Sequence, residues 1–181
     1  MCFLEILTRT GRRPNALQCN VASLASQTDR DFKQTYLVDE VGRGVAWANK
    51  NLGNYASNLT GDFIWILDDD DECTYADLIK DLKEIVAGNS PDAVMCKVIY
   101  CDFGELPPYD LWGKSPEFAS ISMSNFFVKR EIYQQYSYAF PESLGGDHAF
   151  ISEIFRQENI KIYWWDQVVM RIMQIGRGAP E

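Results

Sequence analysis

Phe63-Ile64-Trp65-Ile66-Leu67-Asp68-Asp69-Asp70-Asp71-Glu72 is the stretch from which the rest of this chain is read. Its apolar half is rich in β-branched and aromatic residues and reads as a strand buried on both faces. Its acidic half contains no basic residue, and such a cluster repels itself unless a cation or solvent absorbs the charge. In open α/β sheets, ligands bind outside the carboxyl ends of the strands. Carboxylate oxygens at that edge suit Mg2+ or Mn2+, which take their remaining ligands from water and substrate phosphates. A solvated acidic turn or a weak Ca2+ loop is the competing reading, and the acids alone do not separate them. The buried strand in front favours a metal site.

Upstream, residues 3–7 form a short apolar run and a first strand. The loop Thr8-Arg9-Thr10-Gly11-Arg12-Arg13-Pro14 follows, and Pro14 is placed to open a helix over 14–26, with Leu17, Val21 and Leu24 at helical spacing. A strand, a basic loop and a helix N-terminus can together hold an anion, and arginine pairs with phosphate bidentately. Solvated charge on an exposed loop is the alternative, and the loop by itself favours it. A second strand over 33–38 ends at Asp39-Glu40, so strand and acid meet again at a carboxyl end. Residues 45–59 read as a helix with Leu52, Tyr55 and Leu59 on one face, closed by Thr60-Gly61-Asp62.

Downstream of the acids, Tyr75, Leu78, Ile79, Leu82, Ile85 and Val86 repeat with helical period, with Thr74 as N-cap and Gly88 as stop. A strand over 93–100 completes an alternation of strands and helices, which predicts an α/β fold: a mostly parallel central sheet flanked by helices. The pattern then changes to a long loop over 102–118, in which Tyr109 and Trp112 either stack on a sugar ring or anchor the loop. A strand over 120–128, helices over 129–136 and 147–158, a turn over 141–146 and strands over 160–165 and 168–173 follow. Residues 176–181 read as a mobile tail. Asp147, after Gly145-Gly146, lies at a predicted helix N-terminus, which favours its ionised form. It is a candidate general base toward a hydroxyl, or a plain helix cap. His148, the single histidine, is a metal ligand, a phosphate partner or, as the favoured reading, structural. One histidine leaves little room for zinc or for a Ser-His-Asp triad.

The length of 181 residues suits one domain, and 46% hydrophobic residues mark a globular chain. Asp and Glu outnumber Lys and Arg by 26 to 17, a net charge of −9 that argues against nucleic-acid or anionic-membrane surfaces. No apolar run is long enough to span a membrane and no signal pattern opens the chain. The five cysteines, without a C-x-x-C pair, read as reduced thiols of a cytoplasmic protein.

Asp39 after a strand, Asn51-Leu52-Gly53, Ala56 and the Gly61-to-Asp71 block together resemble the nucleotide-sugar half of family 2 glycosyltransferases. Ser124-Asn125-Phe126-Phe127-Val128-Lys129-Arg130-Glu131 and Gly146-Asp147-His148-Ala149-Phe150 are similar to their acceptor half. The resemblance implies a single GT-A domain over 1–181, with a nucleotide-sugar half at 1–101 and an acceptor half at 102–175. It implies a metal-dependent inverting enzyme of hexosyltransferase type, moving sugar from a nucleoside diphosphate sugar to a saccharide or glycan hydroxyl. A UDP-sugar is the first expectation and a GDP-sugar the second. Asp68 and Asp70 match the D-x-D pair that serves ribose and Mn2+ or Mg2+, with Asp70 the direct ligand; Asp69 lies between them. Asp39 matches the acid that contacts the base, and Thr8 and Arg9 match the end of the first strand, with Thr10 and Arg12 beyond it. Asp147 matches the catalytic base, although the family's acidic pair is here Gly146-Asp147, with one acid. His148 and Trp112 complete the candidate set. The alternatives are a nucleotide-sugar-binding module without turnover and a nucleotidyltransferase, which needs a more glycine-rich loop than 8–14.

Overall fold

The computed structural model describes residues 2–101, 104–141 and 145–173. Strands β1 (Leu4–Thr10), β2 (Phe32–Val38) and β3 (Phe63–Ile66) lie side by side and parallel, with Leu4 opposite both Phe32 and Phe63. The crossovers between them are α1 (Pro14–Ala25), which opens on Pro14, and α2 (Val45–Tyr55). Helix α2 ends before 59 because the chain tightens into a 3-10 turn at Ala56–Asn58.

The acidic run does not remain a loop throughout: Asp71–Cys73 forms a short strand, β4. Helix α3 (Leu78–Asn89) starts later than the pattern implies. Thr74 is not its cap; the Thr74 amide donates to the carbonyl of Val169 at 2.9 Å, and Asp77 takes the cap position. Nor does Gly88 end the helix. It lies inside α3, and Ser90, at φ +47°, makes the left-handed exit.

Strand β5 (Ala93–Tyr100) matches its expected bounds, and β6 (Gly104–Leu106) pairs with it antiparallel. Strand β7 (Phe126–Lys129) is shorter than predicted because Met123–Asn125 coils into a 3-10 turn closed reciprocally by Ser122 and Asn125. Helices α4 (Arg130–Tyr136) and α5 (Gly146–Phe155) follow. The two expected last strands are one, β8 (Ile162–Ile172). Its polar Asp166-Gln167 pair is absorbed by a register irregularity around Lys97 of β5 and does not break the strand. Part of the turn over 141–146, and the tail over 176–181, fall outside the described residues.

The sheet runs β2-β1-β3-β7-β5-β8-β4. The long ladders, β1–β2 and β5–β8, are parallel; the short ones involving β7, β6 and β4 are antiparallel. Strand β3 shows why the sheet is central. Phe63 and Trp65 enter one apolar cluster with Leu24 of α1 and Leu78 and Leu82 of α3. Ile64 and Ile66 enter the other, with Leu52 of α2, Tyr133 of α4 and Phe150 of α5. The period of two thus feeds both faces. Trp65 is fully buried beside Phe127, ring centroids 5.0 Å apart, and its indole N–H donates to the Ser124 carbonyl at 2.8 Å. Glu5 is the one acid in β1. It is buried and accepts from the amides of Thr60 at 2.8 Å and Gly61 at 2.9 Å, which ties β1 to the turn before β3. Among the described residues no helix is long and apolar enough to cross a membrane.

Candidate active site

Three parallel strands deliver their carboxyl ends to one sheet edge. Arg9 and Thr10 come from β1, Asp39 follows β2, and the acidic turn follows β3. A cleft of about 520 Å³ opens there, and the first turn of α5 supplies Asp147 to its lining.

The acidic turn is threaded with arginine. Nε and Nη2 of Arg9 donate to the two carboxylate oxygens of Asp68, each at 2.6 Å, and Nη1 donates to Oδ1 of Asn49 at 2.8 Å. Burial opposes the Arg9 charge, but Asp68 holds its pKa above the ordinary value. Arg13, ahead of α1, donates from Nη1 to Oδ2 of Asp70 at 2.7 Å and from Nη2 to Oδ1 of Asp69. The turn's backbone is fixed from below by buried Asn20 of α1, whose Nδ2 donates to the carbonyls of Asp68 at 2.8 Å and Asp71 at 2.9 Å. Asp71 is buried and accepts from the Ser124 hydroxyl at 3.2 Å.

Two arginines do not neutralise four adjacent carboxylates. Burial raises the Asp69 carboxyl to about 6, and burial together with the Asp68 charge raises Asp70 and Asp71 above the usual range. A divalent cation would relieve this crowding, and the donors are hard oxygens, so the residues fit Mn2+ or Mg2+. Among the described residues no three His, Cys, Asp or Glu side chains converge into a ready cage. The protein would therefore supply one or two carboxylates, with phosphate and water completing the shell, as is usual for these ions.

Asp39 is organised by its own loop. It accepts from the amides of Gly42 and Gly44, both at 3.0 Å, and from Nε of Arg43 at 3.3 Å. Slight desolvation works upward, but these bonds, the Gly44 amide first, hold its carboxyl below the ordinary value. Arg43 in turn lies 4.0 Å from the ring centroid of Trp47. Gly42, at φ +73°, leaves the space taken by the Arg12 guanidinium, which a Cβ would meet at 2.1 Å. Asp147 sits in the first turn of α5, entered through Gly145 at φ +82°, and its Oδ1 accepts from the His148 amide at 2.9 Å.

Of the residues expected from sequence, Arg9, Thr10, Arg12, Asp39, Asp68, Asp70 and Asp147 line the cleft. Thr8 does not. It is fully buried within the sheet and accepts from Nε2 of Gln34 at 2.8 Å. Asp69 is fully buried behind Arg13. His148 lies outside the lining, 3.3 Å from the Ser152 hydroxyl. Trp112 also lies outside it, edge-on to Trp164 at 4.9 Å and 5.1 Å from Lys97 Nζ, which makes it an anchor of its loop. Sequence reasoning missed Asn20, Asn49 and Trp47. Asn20 carried a signal, a polar residue among the apolar positions of α1; Asn49 and Trp47 carried none.

No protein family model and no curated protein sequence matches the chain. Solved structures do. TarS of S. aureus superposes with a TM-score of 0.72 at 14% identity, over 93% of this chain and 36% of that one. A shorter TarS chain in complex with UDP-GlcNAc gives 0.68 at 13%, over 93% and 58%. The mannosyltransferase PcManGT from Pyrobaculum calidifontis, in complex with GDP-Man and Mn2+, gives 0.68 at 14%, over 98% and 58%. The chain shares the GT-A fold of these neighbours. It spans between 36% and 60% of the length of the TarS chains it matches.

Proposed function

We propose that this chain is a metal-dependent, inverting glycosyltransferase of family 2 type, transferring a hexosyl group from a nucleoside diphosphate sugar to a saccharide or glycan hydroxyl. One observation carries the reading: Asp39, Asp68, Asp70 and Asp147, from three separate stretches of the chain, line a single cleft with Arg9 and Arg12. The solved neighbours that hold UDP, UDP-GlcNAc or GDP-Man support a nucleotide-sugar donor. A UDP-sugar is the first choice and a GDP-sugar the second.

In this reading Asp39, pre-set by the Gly42 and Gly44 amides, accepts from the base, and Trp47 beside it offers a flat apolar wall. Asp68 meets the ribose. Asp70, with Asp68, would hold Mn2+ or Mg2+, which when bound supplies charge neutralisation to the leaving diphosphate. Arg9, Arg12 and Arg13 add positive charge on the β1 side of the same cleft. Asp147 takes the proton of the acceptor hydroxyl. It lies in the first turn of α5 and lines the same cleft as the acidic turn. Catalysis takes place in the cytoplasm, where the five thiols stay reduced.

Calorimetric titration with UDP and GDP, with and without Mn2+, tests the donor half. Mn2+-dependent binding is expected, and its loss in Asp70→Ala. Donor turnover that disappears in Asp147→Asn while binding persists tests the base. Binding of neither nucleotide would overturn the proposal. A second reading, a binding module without turnover, is favoured by the single acid at Gly146-Asp147, and binding without any donor consumption would establish it.

A further inference from the structure

Phe118 is a large apolar side chain left 73% exposed; it is not in the cleft lining but stands against Gly145, which is. Its exposure is built in. The turn from Glu117 to Ser120 is closed by the Ser120 amide donating to the Glu117 carbonyl at 3.1 Å. The buried Ser120 hydroxyl also donates to that carbonyl at 2.7 Å and accepts from the Glu117 amide at 3.0 Å. Ala119 adopts φ +65°, a backbone conformation that costs a non-glycine residue about 1 kcal/mol. The ring so presented stands edge-on to His148 at 5.7 Å, and the Cβ position of Gly145 lies 3.0 Å from its Cε2. Gly145 and Asp147 line the cleft, as do Ser122 and Met123, just beyond the turn.

We infer that Phe118, backed by His148, is the platform on which the sugar ring of a saccharide acceptor stacks, bringing its hydroxyl to Asp147. This rests on the glycosyl-transfer reading. Aromatic faces bind the apolar C–H face of a pyranose while leaving its hydroxyls to polar partners, and the position beside Asp147 matches the acceptor rather than the nucleotide. A locked turn and a strained alanine fix the ring before a ligand arrives, which lowers the ordering cost of binding.

The single histidine makes the test direct, because isotope-labelled His148 gives one imidazole signal. Methyl glycosides of glucose, galactose, mannose and N-acetylglucosamine, and their short oligosaccharides, are titrated into the full chain by NMR. At least one is expected to shift the His148 signal, to bind roughly tenfold more weakly to Phe118→Ala, and to regain affinity with Phe118→Trp. No shift with any of these saccharides, or equal binding by Phe118→Ala, overturns the platform. UDP with Mn2+, followed in the same samples at the tryptophan indole signals, separates the two readings. Nucleotide binding without a saccharide shift removes the platform and leaves the transferase. A saccharide shift without nucleotide binding keeps the platform as a glycan site and removes the transferase.

Discussion

Arg9 directs all its donor nitrogens inward, two to Asp68 and one to Asn49. Removing it leaves a half-buried carboxylate without its counter-charge and an amide without a donor. Arg9→Ala is therefore expected to lower stability by about 2–3 kcal/mol in urea denaturation. Asp69 makes a different statement. Its carboxyl titrates near 6 in the folded chain against an ordinary value of 3.8, chiefly because it is buried. Between those values the folded chain keeps a proton that the unfolded chain has released. This group's contribution is thus most favourable below the unfolded value and is lost as pH rises through the folded one. Metal-free wild type is expected to lose on the order of 2 kcal/mol relative to Asp69→Asn between about pH 4 and about pH 7, compared by urea denaturation at both ends.

Helix α5 meets α2 where Gly146 faces Asn49. A Cβ on Gly146 would lie 2.5 Å from Asn49 Nδ2 and 2.6 Å from its Cγ, so Gly146→Ala must displace the side chain that holds Arg9. The expected outcome is a loss of about 1–3 kcal/mol in thermal or urea unfolding, together with weaker UDP binding. Gly88 is the counter-case: it lies inside α3 with nothing near its Cβ position, and Gly88→Ala is expected to add about 0.5–1 kcal/mol. The same contrast shows what was legible in the sequence. Strands β1, β3 and β5 announce themselves by apolar runs between glycine, proline and polar turns. Strand β4 does not, because Asp71-Glu72-Cys73 has no apolar pattern; it becomes a strand only where the end of β8 offers an edge, Asp71 opposite Ile172. Of the acids of the cleft, Asp39, Asp68 and Asp70 were readable from their positions after strands and Asp147 from its place at a predicted helix start. The Arg13 pairs with Asp69 and Asp70 and the Asn20 bridge were not, since they depend on how α1 settles against the acidic turn.

At the scale of the whole molecule, residues 1–101 and the residues that follow them share one sheet. Strand β7 (Phe126–Lys129) lies between β3 and β5, pairing Ile64 with Val128 on one side and Ala93 with the same Val128 on the other. A fragment of residues 1–101 retains Asp39, Asp68 and Asp70 but loses β7, the strand that joins β3 to β5. It is expected to lack the dispersed amide NMR spectrum and the cooperative urea transition of the full chain. The same placement of β7 sets a hazard during synthesis. A ribosome releasing this polypeptide N-terminus first exposes the flanks of β3 and β5 as unsatisfied templates well before Phe126 emerges. Nascent copies crowded on one message can cross-pair along those flanks. Slowing translation ahead of the β7 codons would therefore lower soluble yield, whereas a pause placed after the codons of β8, the other neighbour of β5, would leave it unchanged.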